Sequence, residues 1–577
     1  RKRNIPNYCA YYSRLTRLNG EKEKRNGFLR RNKLFLMNQD KIKTIPEKPL
    51  AYWLSSQLLK CFQGKKLNDV AKTKQGFATG NNNLYLRFWF EINNRKMNKK
   101  WFPCNKGGAY RKWYGNNTVV ADWENNGFKM KAESGSVIRN PDYYFKEGLT
   151  WSSLGNEFGV RYSKEGYLFE SKGSMCFVNE KSDLRYILGL LNSCVARKFL
   201  SVLAPTLDFH EGPVGRIPIA YSSKEKEVIE DLVERNIQLS QNDWDDFEIS
   251  WDFKNHPLVR VTDNNFKTTI ESKYKDWKNY KDMSFSELKI NEELINQKVI
   301  NIYSLKDEMN STVFDDSIKI RKADLERDIK SFISYAVGCM TGRYSLDVEG
   351  LAYAGGEWDD SKYKTFIPDA DNIIPITDEE YFDDDIVCRF VDFVKVVYGE
   401  DTLEENLDFI ASVLAVKGKS SREIIRNYFI KDFYKDHCKI YKKRPIYWLF
   451  DSGKQNGFKA LIYMHLYDKD TVGRIRTNYL HKTQNAIEGA LKNAEYIISS
   501  STSAVDKANA TKDRDKYIKQ LNEMKIYDQA LAHVALKRID IDLDDGVKHN
   551  YELFQEVEIS SEGEDAKKKK VNLLAKI

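Results

Sequence analysis

The chain has 577 residues, 41% of them hydrophobic and 13% aromatic, which is too long for one ordinary core and too apolar for a disordered chain. No apolar run nears the roughly 20 residues that span a bilayer, no signal-peptide core is present, and the eight cysteines are scattered without a CxxC pair or zinc spacing; this predicts a cytoplasmic protein with reduced thiols, no membrane attachment and no metal. The formal charge of +9 is uneven, with 28 Lys/Arg against 8 Asp/Glu over residues 1–130 and 19 acids against 5 bases over residues 341–410, so the basic, aromatic-rich front points to nucleic acid and the acidic middle to a solvated or partner-facing surface.

The first 45 residues are basic and weakly periodic, and the chain opens at Arg1 without a methionine, which reads as a lead-in cut from something larger. Pro46 and Pro49 end that segment. Ala51, Trp53, Leu54, Leu58, Leu59 and Phe62 then fall near helical spacing and Gly64 stops the run, predicting a helix within residues 46–66. From Leu67 to about Ser222, short apolar runs alternate with Gly and Asn turns; Thr118–Ala121 and Ser174–Val178 read as strands. Leu184, Ile187, Leu188, Leu191 and Val195 place one helix over about 183–200. Residues 223–340 are mainly helical, and Trp244, Phe247, Trp251 and Phe253 form an aromatic patch that needs burial. Residues 341–380 are irregular and acidic. Residues 381–470 read as helices with aromatic anchors at Tyr428, Phe433, Tyr447, Trp448 and Phe450. Residues 474–541 are polar and proline-free, which predicts long antiparallel helices before an acidic end and the lysines 567–570. The expected organisation is α+β: a basic lead-in over 1–45, a β-rich domain over 46–222, a helical connector over 223–340, a mixed acidic region over 341–470, and long helices with a charged tail over 471–577.

The stretch Lys72–Arg87 is the candidate binding loop. Gly76 and Gly80 allow a tight backbone path that can approach a ligand closely. Gln75, Asn81, Asn82 and Asn83 present donor and acceptor side by side, the pattern that reads an adenine edge, and Thr79 adds a hydroxyl. Lys72, Lys74 and Arg87 bracket the loop with charge for phosphates. The alternative is that the asparagines only cap turns. Rings and cations continue to alternate through Trp113 and Tyr114. Among these residues Lys99, Lys100, Lys106, Arg111 and Lys112 are candidate backbone-holding cations, and the rings more often fill the core beneath a basic face.

Other motifs are weaker. Asn140-Pro141-Asp142-Tyr143 approaches the Asn-Pro-Pro-Tyr loop of adenine amino-methyltransferases, but its third residue is Asp and no Gly-x-Gly cofactor turn occurs anywhere in the sequence, so it reads as turn chemistry. Asp208, His210 and Glu211 lack the second His of a zinc helix, and His210 reads as a loop anchor. The acids at Asp359/Asp360 and Asp383–Asp385 lack the ligand spacing of a calcium loop and read as solvated surface.

Several stretches resemble one family. Pro49-Leu50-Ala51-Tyr52-Trp53-Leu54, Gln75-Gly76-Phe77-Ala78-Thr79-Gly80-Asn81-Asn82 and Gly107–Asn116 are similar to the target-recognition region of the PglX adenine-specific DNA methyltransferases of BREX phage-defence systems. The similarity continues through Arg139–Phe145, Gly148–Trp151, Pro205–Phe209, Trp244–Phe253 and Gly338–Asp347, and covers residues 46–470. The family's S-adenosylmethionine and Asn-Pro-Pro-Tyr loops precede this region. The resemblance therefore implies the C-terminal portion of such an enzyme: a TaqI-like specificity domain and a largely helical C-terminal part. It implies S-adenosylmethionine as cofactor of the whole enzyme, with no site for it here. It implies double-stranded DNA, other BREX proteins and a separate methyltransferase domain as partners, and no activity for the chain alone. Two rival readings are the specificity half of a fused type II restriction-modification enzyme and a protein-interaction scaffold. Steep salt dependence marks DNA binding through phosphates and separates it from the scaffold.

Overall fold

The computed structural model describes residues 7–16, 18–31, 34–206, 208–260, 268–560 and 568–577; Leu207, within one of the stretches that carry the resemblance, and Lys567 lie outside them. The chain divides into two compact units, each assembled from separate stretches. The first takes the chain up to Leu86, Lys100–Trp244 and Asp282–Arg321; the second takes Arg87–Lys99, Asp245–Lys281 and Lys322–Ile577. The fold is mixed α+β, with small sheets among many helices.

In the first unit one sheet runs in the order Ala71–Lys74, Met175–Val178, Gly148–Trp151, Val160–Ser163, with every pairing antiparallel. A second sheet has Trp101–Asn105 antiparallel to Val119–Asp122 and parallel to Leu168–Phe169. Both expected strands are present, the first shifted by one residue to Val119–Asp122. Gly148–Trp151 is buried along its whole length, so it lacks the alternation of a half-exposed strand. A core of Phe77, Tyr85, Cys104, Trp123, Met130, Tyr144, Phe169, Met175 and Phe177 joins the strands to the loop at 75–85. Its rings meet mostly edge to face, with centroids 5.2 Å apart for Trp123–Tyr144 and 5.3 Å for Tyr144–Phe169.

The helix expected over 183–200 is two helices, Leu184–Asn192 and Cys194–Leu203, bent by 71°. Ser193 causes the break. Its backbone is extended, its hydroxyl accepts from Ala196 N at 3.2 Å as an N-cap, and it donates to Leu190 O at 2.7 Å. The expected helix of 46–66 is also shorter, Ser56–Cys61, because Ser55 caps it by accepting from Leu58 N and the chain before it turns. The first unit reaches past residue 222 to include most of the helix Ser223–Asp245: Gly189 lies where a Cβ would come within 2.8 Å of Ile229 and 2.9 Å of Val233, so that helix packs directly on Leu184–Asn192.

In the second unit the helix Leu325–Met340, capped by Asp324, is buried along most of its length. Tyr447, Trp448 and Phe450, read above as helical anchors, lie instead on the strand Tyr447–Asp451, paired with Lys459–Tyr463 and through it with Ile374–Pro375. That strand is buried on both faces, so its apolar run carried no period of two. The long helices His481–Ser500 and Ala504–Lys537 are as expected, joined by a short turn in which Ser503 caps the second. Of the acids 383–385 only Asp383 is exposed: Asp385 is fully buried on the Arg426 guanidinium at 2.7 and 2.8 Å, and the half-buried Asp384 accepts from Tyr479 OH at 2.7 Å. All eight cysteines are free thiols. Among the described residues no single helix is long and apolar enough to cross a membrane.

Candidate nucleic-acid interface

The loop at 75–83 is built on its own unit. Lys72 and Lys74 sit on the edge strand Ala71–Lys74, opposite Phe177 and Met175. Gly76 faces the Phe169 backbone so closely that a Cβ there would lie 1.8 Å from the Phe169 carbonyl oxygen. Phe77 N donates to that oxygen at 3.2 Å, and Ser171 N donates to Phe77 O at 2.8 Å. Ala78 and Val137 exchange both backbone hydrogen bonds at 2.9 Å. Gly80 has φ +73°, and a Cβ there would stand 2.7 Å from Ser134 O. The two glycines therefore serve close approach to the protein's own backbone, not to a ligand. The one-turn helix Asn82–Tyr85 follows, anchored by Tyr85 OH, which donates to Lys129 O and Glu133 Oε2, each at 3.1 Å. Burial and the Glu133 carboxylate push that phenol up.

This anchoring decides what the loop presents. Asn81, Asn82 and Asn83 are exposed. Asn82 Oδ1 accepts from the buried Thr79 hydroxyl at 2.7 Å, which fixes the orientation of its amide. Thr79 is thus a positioning residue beneath the asparagines. Gln75 is half-buried, and its carbonyl accepts from Asn140 Nδ2 at 2.9 Å. Lys72 is exposed; Lys74 is half-buried, with its ammonium 4.9 Å from the Tyr143 ring centroid. Lys100 and Lys106 flank the strand Trp101–Asn105, both half-buried, and Lys100 has Asp122 at 3.9 Å.

Three of the proposed cations are committed inside the protein. Lys112 Nζ meets Glu292 at 2.5 Å with both side chains under 5% exposed, and Trp113 Nε1 donates to the same carboxylate at 2.8 Å. Arg111 pairs with Asp243 at 3.3 Å and stacks over Trp244 at 4.9 Å. Arg87 belongs to the second unit, where it donates to the carbonyls of Asp544 and Asp545 at 3.0 Å; burial pulls its pKa down against the opposing pull of Glu91. None of these three faces solvent to meet a phosphate. Lys99 is exposed and lies in the second unit.

Asn140 is tied to the candidate loop. It is a left-handed residue, φ +51°, whose side chain is spent on Gln75 O. Tyr143 is packed on Phe177 at 4.9 Å between Lys74 and Lys146. Among the described residues no group of three or more His, Cys, Asp or Glu is placed to hold a metal.

The sequence reading missed one element beside the loop. Asn125, Asn126 and Gly127 all have positive φ, a left-handed turn that leaves both asparagines exposed and Phe128 70% exposed. The Asn-Asn-Gly signal was legible as turn chemistry. Its position was not, because tertiary contacts such as the Tyr85–Lys129 and Tyr85–Glu133 bonds and the Gly80–Ser134 contact bring the turn and its following helix to the loop.

No protein-family profile matches this chain. Two curated proteins align along nearly all of it. One is the adenine-specific methyltransferase PglX of Lacticaseibacillus casei (strain Zhang), 40% identical over 581 residues, 95% of this chain and 48% of the relative. The other is the adenine-specific methyltransferase BrxX of Escherichia coli O9:H4 (strain HS), 35% identical over 574 residues, 92% of this chain and 47% of the relative. The chain is similar to adenine-specific methyltransferases. It spans about half the length of these relatives.

Proposed function

We propose that this chain supplies DNA sequence recognition to an adenine-specific, S-adenosylmethionine-dependent methyltransferase that marks host DNA in BREX phage defence. The observation that carries the reading is the row of exposed amides Asn81–Asn83, held rigidly by Thr79 and Tyr85 on a basic unit, in a chain whose relatives are named adenine-specific methyltransferases. Paired donor and acceptor amides read adenine in the major groove, while Lys72, Lys74, Lys100 and Lys106 of the same unit hold phosphates of any sequence. The first unit is the TaqI-like specificity domain in this reading. Base flipping and methyl transfer belong to another part of the full enzyme, because Asn140 and Tyr143 are occupied internally and the sequence holds no Gly-x-Gly turn. Double-stranded DNA, that methyltransferase domain and other BREX proteins are the partners this implies.

Selection from a random duplex library tests the proposal. The chain is expected to enrich one short asymmetric sequence, with affinity that falls steeply with salt. A folded chain that enriches no sequence refutes it.

A further inference from the structure

The second unit carries a cleft of about 1030 Å³ that the recognition reading does not use. Its lysines come from four separate stretches: Lys431 and Lys435 near the segment Phe429–Phe433, Lys454 and Lys459 from the hairpin of Tyr447–Asp451 and Lys459–Tyr463, Lys569 and Lys570 from the strand Lys568–Val571, and Lys576 beyond it. Three are neutralised: Lys435 by Asp432 at 3.1 Å, Lys459 by Asp451 at 2.6 Å and Lys570 by Glu556 at 2.6 Å. Of the two carboxylates in the wall, Asp451 is taken by Lys459, and Glu523 accepts from Ser452 Oγ, Gln455 N and Gly457 N at 2.8 to 3.2 Å. Among the described residues this leaves Lys431, Lys454, Lys569 and Lys576 exposed around one cleft without an ion-pair partner.

We propose that this cleft binds the phosphodiester backbone of nucleic acid without reading its sequence. Four like charges brought together by the fold repel one another and are stabilised by a polyanion. They are all lysines, compact point charges that neutralise phosphate without the fixed bidentate geometry of an arginine fork, which suits a backbone held in no one register. The only ring in the wall, Tyr527, is buried with its hydroxyl donating to Leu573 O at 2.6 Å. No base can stack there, so the contact is to backbone alone. The site lies in a different unit from Asn81–Asn83 and stands whether or not those amides read bases.

Lysine acetylation footprinting of the full chain with a random-sequence duplex tests this, beside the same measurement with polyglutamate. The duplex is expected to protect all four lysines, in the parent and in an Asn81→Ala/Asn83→Ala variant alike. Replacing the four by Ala should lower the salt slope of random-duplex binding by about one unit for each lysine removed, and replacing them by Arg should restore it. A melting curve for each variant confirms the fold. Protection by polyglutamate but not by the duplex would identify an acidic polypeptide instead and overturn the proposal. So would four lysines that acetylate equally with and without DNA.

Discussion

Lys112 illustrates how a cation in a basic run becomes structural. Its ammonium and Glu292 share a site in which both are nearly inaccessible. Removing one partner strands the other charge, so Lys112→Ala is expected to cost about 3–5 kcal/mol in a denaturant titration. Lys112→Met/Glu292→Leu should recover most of that loss. Random-duplex affinity of the folded Lys112→Ala protein should match the parent. A drop there with unchanged stability would return Lys112 to the DNA surface. The sequence offered no means of separating Lys112 from Lys106, because the deciding acid lies 180 positions away.

A second residue makes stability depend on pH. Burial and the neighbouring Asp371 carboxylate push Asp369 from its ordinary 3.8 up to about 7, although its carboxylate accepts from the backbone of Asp371 and Ile373, each at 3.1 Å. The folded state therefore holds this proton more tightly than the unfolded chain. Its contribution is complete below the unfolded value near 4 and is lost as pH rises through about 7. Asp369→Asn keeps an oxygen for both backbone donors and removes the ionisation. Its denaturation midpoint should gain on the parent as pH goes from 4 to 8. A constant difference across that range would contradict the assignment.

At the scale of elements, the candidate loop is rigid because glycine lets two backbones touch. Gly76→Ala would drive a Cβ into the Phe169 carbonyl, and Gly80→Ala adds a clash with Ser134 O to an unfavourable positive φ. Both variants are expected to melt earlier and to lose the preference for the selected duplex together, Gly76→Ala more severely. Asn81→Ala should leave the melting curve unchanged while costing about 1–3 kcal/mol on the preferred sequence. Elements with a local cause were legible: the strands at Val119–Asp122 and Met175–Val178 follow from apolar runs between turn residues, and the long helices from an absence of breakers. The kink at Ser193 was also present locally, as an Asn-Ser pair inside an apolar stripe, but continuous periodicity masked it. The strand Tyr447–Asp451 was not legible, because a strand buried on both faces has the same apolar composition as a buried helix.

For the molecule as a whole, the units do not follow contiguous sequence. Arg87–Lys99 sits in the second unit although its neighbours on both sides belong to the first, and Asp282–Arg321 returns to the first. Composition shifts mark linkers, and these crossings have none. The similarity to methyltransferases twice as long sets a further expectation. Incubated with labelled S-adenosylmethionine and mixed-sequence DNA, the chain alone should transfer no methyl group. Transfer that survives purification and disappears with Asn140→Ala would place catalysis in this chain.

The central claim is that Asn81–Asn83 read bases on a surface where lysines hold phosphates. Binding isotherms of the parent and of the Asn81→Ala and Asn83→Ala variants, on the selected duplex and on a scrambled one at two salt concentrations, test it directly. The account predicts that the amide variants lose about tenfold or more on the selected duplex and almost nothing on the scrambled one, with the salt slope unchanged. Equal losses on both duplexes, or an undiminished preference in intact protein, would contradict it.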